Sequence, residues 1–167
     1  MSRCFDGPLI IEFDHKASEI LGGDYWRVKR SFRFYLPASH IGNEWVEYQS
    51  NRWAYVPAGM LTDLGSIPKV FRSIIDVGGA AAQAYVLHDQ LCEYLSITAD
   101  GNPESISRRE ADLILRDALL DLEIDKTTTH LIYEAVAAYQ LAKGITRPST
   151  TALKRCLEAE YNFEGLN

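Results

Sequence analysis

Between Trp26 and Leu36 the chain alternates: Trp26, Val28, Phe32, Phe34 and Leu36 are apolar, while Arg27, Lys29, Ser31 and Arg33 are polar. A period of two turns one set inward and the other toward water, so the segment predicts a half-buried strand. Leu9 to Phe13 and Trp45 to Val56 predict further strands, with turns at Gly22-Gly23-Asp24 and Gln49-Ser50-Asn51. Residues 1–70 therefore read as a small antiparallel sheet of four or five strands. Pro57-Ala58-Gly59 and Ile67-Pro68 bracket Met60 to Ser66, where proline and glycine disfavour a continuous helix or central strand and predict an ordered loop.

From Gly79 the period lengthens. Ala80 to Leu95 predicts a helix, ended by a loop at Asp100-Gly101-Asn102-Pro103. Ser107 followed by Glu110 is a capping box, and Leu113, Ile114, Ala118, Leu119 and Leu122 give the next helix its apolar stripe. Thr127 to Lys143 predicts a third helix closed by Gly144, and Pro148 to Glu160 a fourth opened by Pro148-Ser149. Tyr133, Val136, Ala137, Gln140 and Leu141 form a stripe suited to a core or a docking surface. The pattern predicts an α+β fold of one domain: an N-terminal antiparallel sheet, with a helical half over residues 79–160 packed on it.

Composition supports this. The 167 residues are 47% hydrophobic and 24% charged, which places the chain among folded domains able to bury a core. A net charge of −6 argues against a general nucleic-acid binder, which needs surplus cations to neutralise phosphates. Arg27, Lys29 and Arg33 beside aromatic residues form a row that suits either a solvated face or a phosphate. Cys4, Cys92 and Cys156 are odd in number and widely spaced, which predicts no disulfide framework and no zinc site. No apolar run reaches the roughly 20 residues of a membrane span, and the expected compartment is reducing and cytoplasmic.

The candidate chemistry lies in Val86-Leu87-His88-Asp89-Gln90-Leu91-Cys92-Glu93-Tyr94. A His-Asp pair inside an apolar helix must be paired, hold a metal or face a cleft, because an unpaired buried carboxylate costs several kcal/mol. Asp112, near the start of the next helix, is positioned to join His88 and Asp89. Its alternative role is that of an anion in a helix's first turn.

Three motifs in order, Val56 to Pro68 with Thr62-Asp63-Leu64-Gly65-Ser66, then Ala84 to Leu91 with His88-Asp89, then Ser107 to Asp112, resemble a tailed-phage and prophage family catalogued as domain of unknown function 1353. The resemblance covers roughly Gly7 to Leu122 and implies a phage origin without a reaction. The helix pair alone resembles calcium-dependent secretory phospholipases. That likeness implies His88 as base, Asp89 as calcium ligand and Asp112 as the group orienting the imidazole, with an ester or lipid as substrate. Those enzymes have cysteine then tyrosine after the pair, where this chain has Leu91 and Cys92, and no glycine-rich calcium loop of the familiar form precedes the helix.

The leading expectation is a phage-encoded, hydrolase-like protein acting in the host cytoplasm. His88 and Asp112 would be catalytic, and Asp89 with Asp63 would hold calcium or magnesium. The competing expectation is a non-enzymatic accessory protein, in the cytoplasm or associated with the virion, that binds a host or phage protein and uses the same cluster as a clasp. A Ser66-His88-Asp112 triad and a His40-assisted phosphohydrolase site can also be written from these residues. His15 and His130 are isolated and read as surface or structural.

Overall fold

The alternation between Trp26 and Leu36 is cut in the middle. In the computed structural model, which describes residues 4–36, 51–64, 79–144 and 151–164, β2 (Trp26–Val28) and β3 (Phe32–Tyr35) belong to two different sheets. Lys29, Arg30 and Ser31 between them are all exposed, so the chain gains nothing by continuing one strand through them. In β3 the period of two holds: Phe32 and Phe34 are buried and Arg33 faces water. In β2 it fails, because Arg27, predicted on the solvated face, is only 8% exposed.

The smaller sheet has the order β1-β2-β5, with β1 (Ile11–Phe13) and β5 (Leu61–Thr62) both antiparallel to β2. The short β5 lies in the segment expected to be a loop. The larger sheet has the order β3-β4-β6-β7, with β4 (Arg52–Val56), β6 (Ser96–Ala99) and β7 (Asn102–Ser105). Asp100 and Gly101, read from the sequence as part of a loop, turn a hairpin with both residues at positive φ, and Ala99 pairs with Asn102 across it. The α+β class therefore holds, but strands follow the first long helix as well as precede it. The predicted strand at Trp45–Val56 is seen from Arg52; its residues 45–50, with Ser66 and His40, lie outside the described residues.

Five helices complete the described fold: α1 (His15–Leu21), α2 (Ala82–Tyr94), α3 (Arg108–Asp121), α4 (Lys126–Lys143) and α5 (Ala152–Glu164). The alternation reading missed α1, although Asp14 caps it by accepting from Ala17 N at 2.8 Å and Gly22 ends it in the left-handed conformation. At α3, Ser107 Oγ accepts from Glu110 N while the Glu110 carboxylate accepts from Ser107 N at 2.7 Å, as the capping box predicts. Replacing Ser107 by Ala is expected to cost about 1 kcal/mol, seen as a fall of roughly 2–4 °C in the CD melting temperature.

The helix that organises the rest is α2. It packs against β4 and against α3, and α3 in turn packs against α4. Ala84, Tyr85, Val86 and Leu87 are wholly buried, and burying each large apolar side chain contributes roughly 1.5–3 kcal/mol. Because α2 is covered on nearly every side, His88, Asp89 and Glu93 are buried with it and must find partners.

Candidate functional site

Successive residues of an α-helix point about 100° apart, and on α2 this sends His88 and Asp89 to different neighbours. His88, 1% exposed, meets α3: its Nε2 donates to Asp112 Oδ1 at 2.8 Å. Gln140 of α4 donates through Nε2 to the same Asp112 oxygen, also at 2.8 Å. Cys92, one turn beyond His88, places its sulfur 3.5 Å from His88 Nε2. Three helices are joined by one buried carboxylate.

Burial works against a charge on His88, but the neighbouring Cys92 sulfur and the Asp112 carboxylate outweigh it and raise its pKa from 6.5 to about 10. Both neighbours favour the charged form of the ring, and Nε2 is turned to Asp112. A protonated imidazole has no lone pair with which to take a proton from water. Nor do Cys92, His88 and Asp112 form a nucleophile relay. The ring nitrogen nearer the sulfur is the one committed to Asp112, whereas a relay needs the two partners on opposite nitrogens.

Asp89 faces the smaller sheet and α5. Thr62 of β5 donates its hydroxyl to Asp89 Oδ2 at 2.5 Å, and the same Oγ1 accepts from Leu64 N at 3.1 Å. Burial of the carboxylate, together with the negative charge of Asp63, raises the Asp89 pKa from 3.8 to about 6, against the opposing pull of Thr62, Lys154 and His88. Asp63 itself is exposed. Lys154, 9% exposed, forms an ion pair with Glu93 and lies 4.0 Å from Glu158 Oε1. Burial lowers its pKa, while Glu158, Asp89 and Asp63 support its charge.

The expected calcium or magnesium site was Asp89 with Asp63. Lys154 already supplies the positive charge facing both carboxylates, and among the described residues no three His, Cys, Asp or Glu side chains converge as metal ligands. Two carboxylates opposite an ammonium do not fit a cation that takes six to eight oxygens.

The three motifs of the sequence are thus tied together, but in two clusters rather than one: Asp112 with His88, and Thr62 with Asp89. His15 and His130 are exposed, as expected for isolated histidines. Arg27 is no free anion binder: it pairs with Asp14 at 2.7 Å and donates to the carbonyls of Gly59 and Leu157. Lys29 is exposed and paired with Glu12, and Arg33 is exposed beside Trp53. Sequence reasoning missed Lys154, Glu93, Thr62 and the polar role of Gln140. The last was visible as a polar residue continuing the buried four-residue period of Ile132 and Val136.

No curated protein and no solved structure is detectably similar to this chain. A family model described as "Protein of unknown function (DUF1353)" matches residues 42–136. The match starts later than the resemblance read from the motifs and runs further into α4. It contains Thr62, Asp63, His88, Asp89 and Asp112, and leaves Gln140 and Lys154 outside. Since it spans more than half of the 167 residues, the chain belongs to the DUF1353 family.

Proposed function

We propose that this chain is a non-catalytic binding protein in which His88, Asp112 and Gln140 clasp three helices into a rigid body. The observation that carries the reading is the buried His88 whose Nε2 is committed to Asp112. Such a group contributes rigidity and has no route to a substrate. In the phage setting that the motif resemblance implies, the partner is a host or virion protein met in the host cytoplasm, and the protein is an accessory factor.

One observation favours a second reading, a hydrolase. Burial and the neighbouring charge of Asp63 raise the Asp89 carboxyl to about 6, and a carboxyl raised in this way suits a general acid or base role. An ester such as a lipid would be the substrate, with Asp89 rather than His88 as the proton carrier.

A panel of p-nitrophenyl and phospholipid esters, assayed from pH 5 to 8 with wild type and Asp89→Asn, separates the two. The binding reading expects no turnover above buffer that depends on Asp89. Turnover that falls by about a hundredfold or more in a folded Asp89→Asn variant would overturn it and establish the hydrolase.

A further inference from the structure

Each sheet ends in two edge strands, whose outer N–H and C=O groups no neighbour in the sheet takes up. Three of the four edges are closed. Residues 4–6 lie along β3: Tyr35 N donates to Cys4 O at 2.9 Å, and Asp6 N donates to Arg33 O at 3.1 Å. On β5, Leu61 N donates to the Glu158 carboxylate at 2.9 Å. Strand β7 carries Pro103, which has no N–H to offer.

The fourth edge, β1, is open. Its bonds to β2 run through the residues on either side: Ile10 O accepts from Lys29 N at 2.8 Å, and Asp14 N donates to Tyr25 O at 2.9 Å. Alternate residues of an antiparallel pair bond to the partner strand. Glu12, opposite Arg27, therefore faces β2, and Ile11 and Phe13 turn their N–H and C=O groups outward. Among the described residues those four groups have no hydrogen-bond partner. The edge lies at the surface: Ile11 and Phe13 are half-buried, Glu12 is exposed, and Ile10 is 45% exposed.

Two donors and two acceptors repeating at every second residue, roughly 7 Å apart, select their ligand by spacing. An extended polypeptide backbone carries the complementary groups at that interval. A helix has already spent its own N–H and C=O groups, and nucleic-acid phosphates have no donors. A second copy of this edge fits poorly. In the two-fold antiparallel register with the most overlap, Ile11 faces Phe13 of the other copy and Glu12 faces its own counterpart, and like charges set opposite each other destabilise a pair. Beside the edge lies a cleft of about 300 Å³ whose lining includes Glu12, Phe13, Arg27, Lys29 and Tyr161, with room for one side chain of an added strand. Arg27 and Lys29 there are already paired with Asp14 and Glu12, so they impose no charge on that side chain.

We propose that β1 receives an extended segment of a partner polypeptide, which adds a fourth strand to the smaller sheet. The backbones of Ile11 and Phe13 carry the recognition, and one side chain of the added strand enters the cleft beside Glu12. The assignment rests on the binding-protein reading and names how the partner is held.

A titration of the full-length ¹⁵N-labelled protein with N-acetyl-Thr-Val-Thr-Val-Thr-amide, followed by amide chemical shifts, tests this. The peptide is expected to bind with a dissociation constant on the order of 1 mM and to move the Ile11 and Phe13 amide protons downfield as they take up hydrogen bonds. Its analogue N-methylated at every residue keeps the side chains and loses the donors, and is expected to bind at least about tenfold more weakly. Ile11→Pro removes one outward N–H at an edge position that tolerates proline, and is expected to weaken the peptide about tenfold. Because the methylated analogue acts on the unaltered protein, it decides even if Ile11→Pro folds poorly. Equal binding of the two peptides, shifts confined to other surfaces, or no shifts at about 10 mM peptide would each overturn the assignment. So would movement of the Ile11 and Phe13 amides on concentrating the protein alone, the sign of a second copy at this edge. None of these outcomes touches the ester assay or the stability of His88 variants, so the edge and the reading beneath it fail separately.

Discussion

Replacing His88 by Ala is expected to lower the unfolding free energy at pH 7 by about 3–5 kcal/mol, because it strands the Asp112 carboxylate in the core with only Gln140, among the described residues, to donate to it. Urea denaturation followed by tryptophan fluorescence measures this directly. The same clasp sets the alkaline limb of stability. The folded pKa of His88 is raised above its ordinary value, so its contribution is complete below pH 6.5 and is lost as the pH climbs through about 10. Wild type is expected to weaken steadily across that window, and Asp112→Asn to show a much flatter profile. A His88→Ala variant within 1 kcal/mol of wild type at pH 7 would mean that the pair is not a clasp, and would reopen a role for the ring in chemistry.

Asp89 is expected to act in the opposite sense. Its folded pKa is also raised, but for an acid this means that ionisation opposes folding: stability is greatest below 3.8 and falls as the pH rises toward about 6. A displacement of roughly two pH units, in which the opposing pull of Lys154 is already included, corresponds to about 3 kcal/mol. Asp89→Asn is therefore expected to be more stable than wild type by about 1–3 kcal/mol at pH 8 and nearly equal to it at pH 4. Its amide oxygen can still accept from Thr62. Denaturation curves at the two pH values decide it. A variant less stable at pH 8 would show that Thr62 and Lys154 together more than offset the burial.

Helices α3 and α4 were legible in the sequence because each pairs an apolar stripe with its own start or stop signal, whereas the short α1 went unread despite Asp14 and Gly22. Ser107 and Glu110 open α3, and Gly144 closes α4 in the left-handed conformation. The strands were legible only where one face is wet. Phe32 and Phe34 alternate with exposed Arg33, but Arg27 breaks the rule because Asp14 and two carbonyls satisfy it inside. The β6–β7 hairpin was hidden because three of four β7 residues are exposed, leaving no buried alternation to read.

For the candidate site, the pairing of His88 with Asp112 followed from two adjacent amphipathic helices. What the sequence could not convey is that residues 88 and 89, read as one dyad, would be turned to separate partners by the helical step. Lys154 was hidden for another reason. It lies more than sixty positions from Asp89, and nothing local distinguishes this buried lysine from the exposed Lys126 and Lys143 before it.

That separation at residues 88 and 89 has a mechanical consequence. The imidazole ties α2 to the helices behind it, and the carboxylate ties the same turn to the smaller sheet, so α2 cannot shift along either neighbour without straining the other. Its central amides should open to solvent only when the whole molecule does, and exchange hydrogen at the rate set by global unfolding. The layers would then melt together, in one transition, as a single cooperative unit.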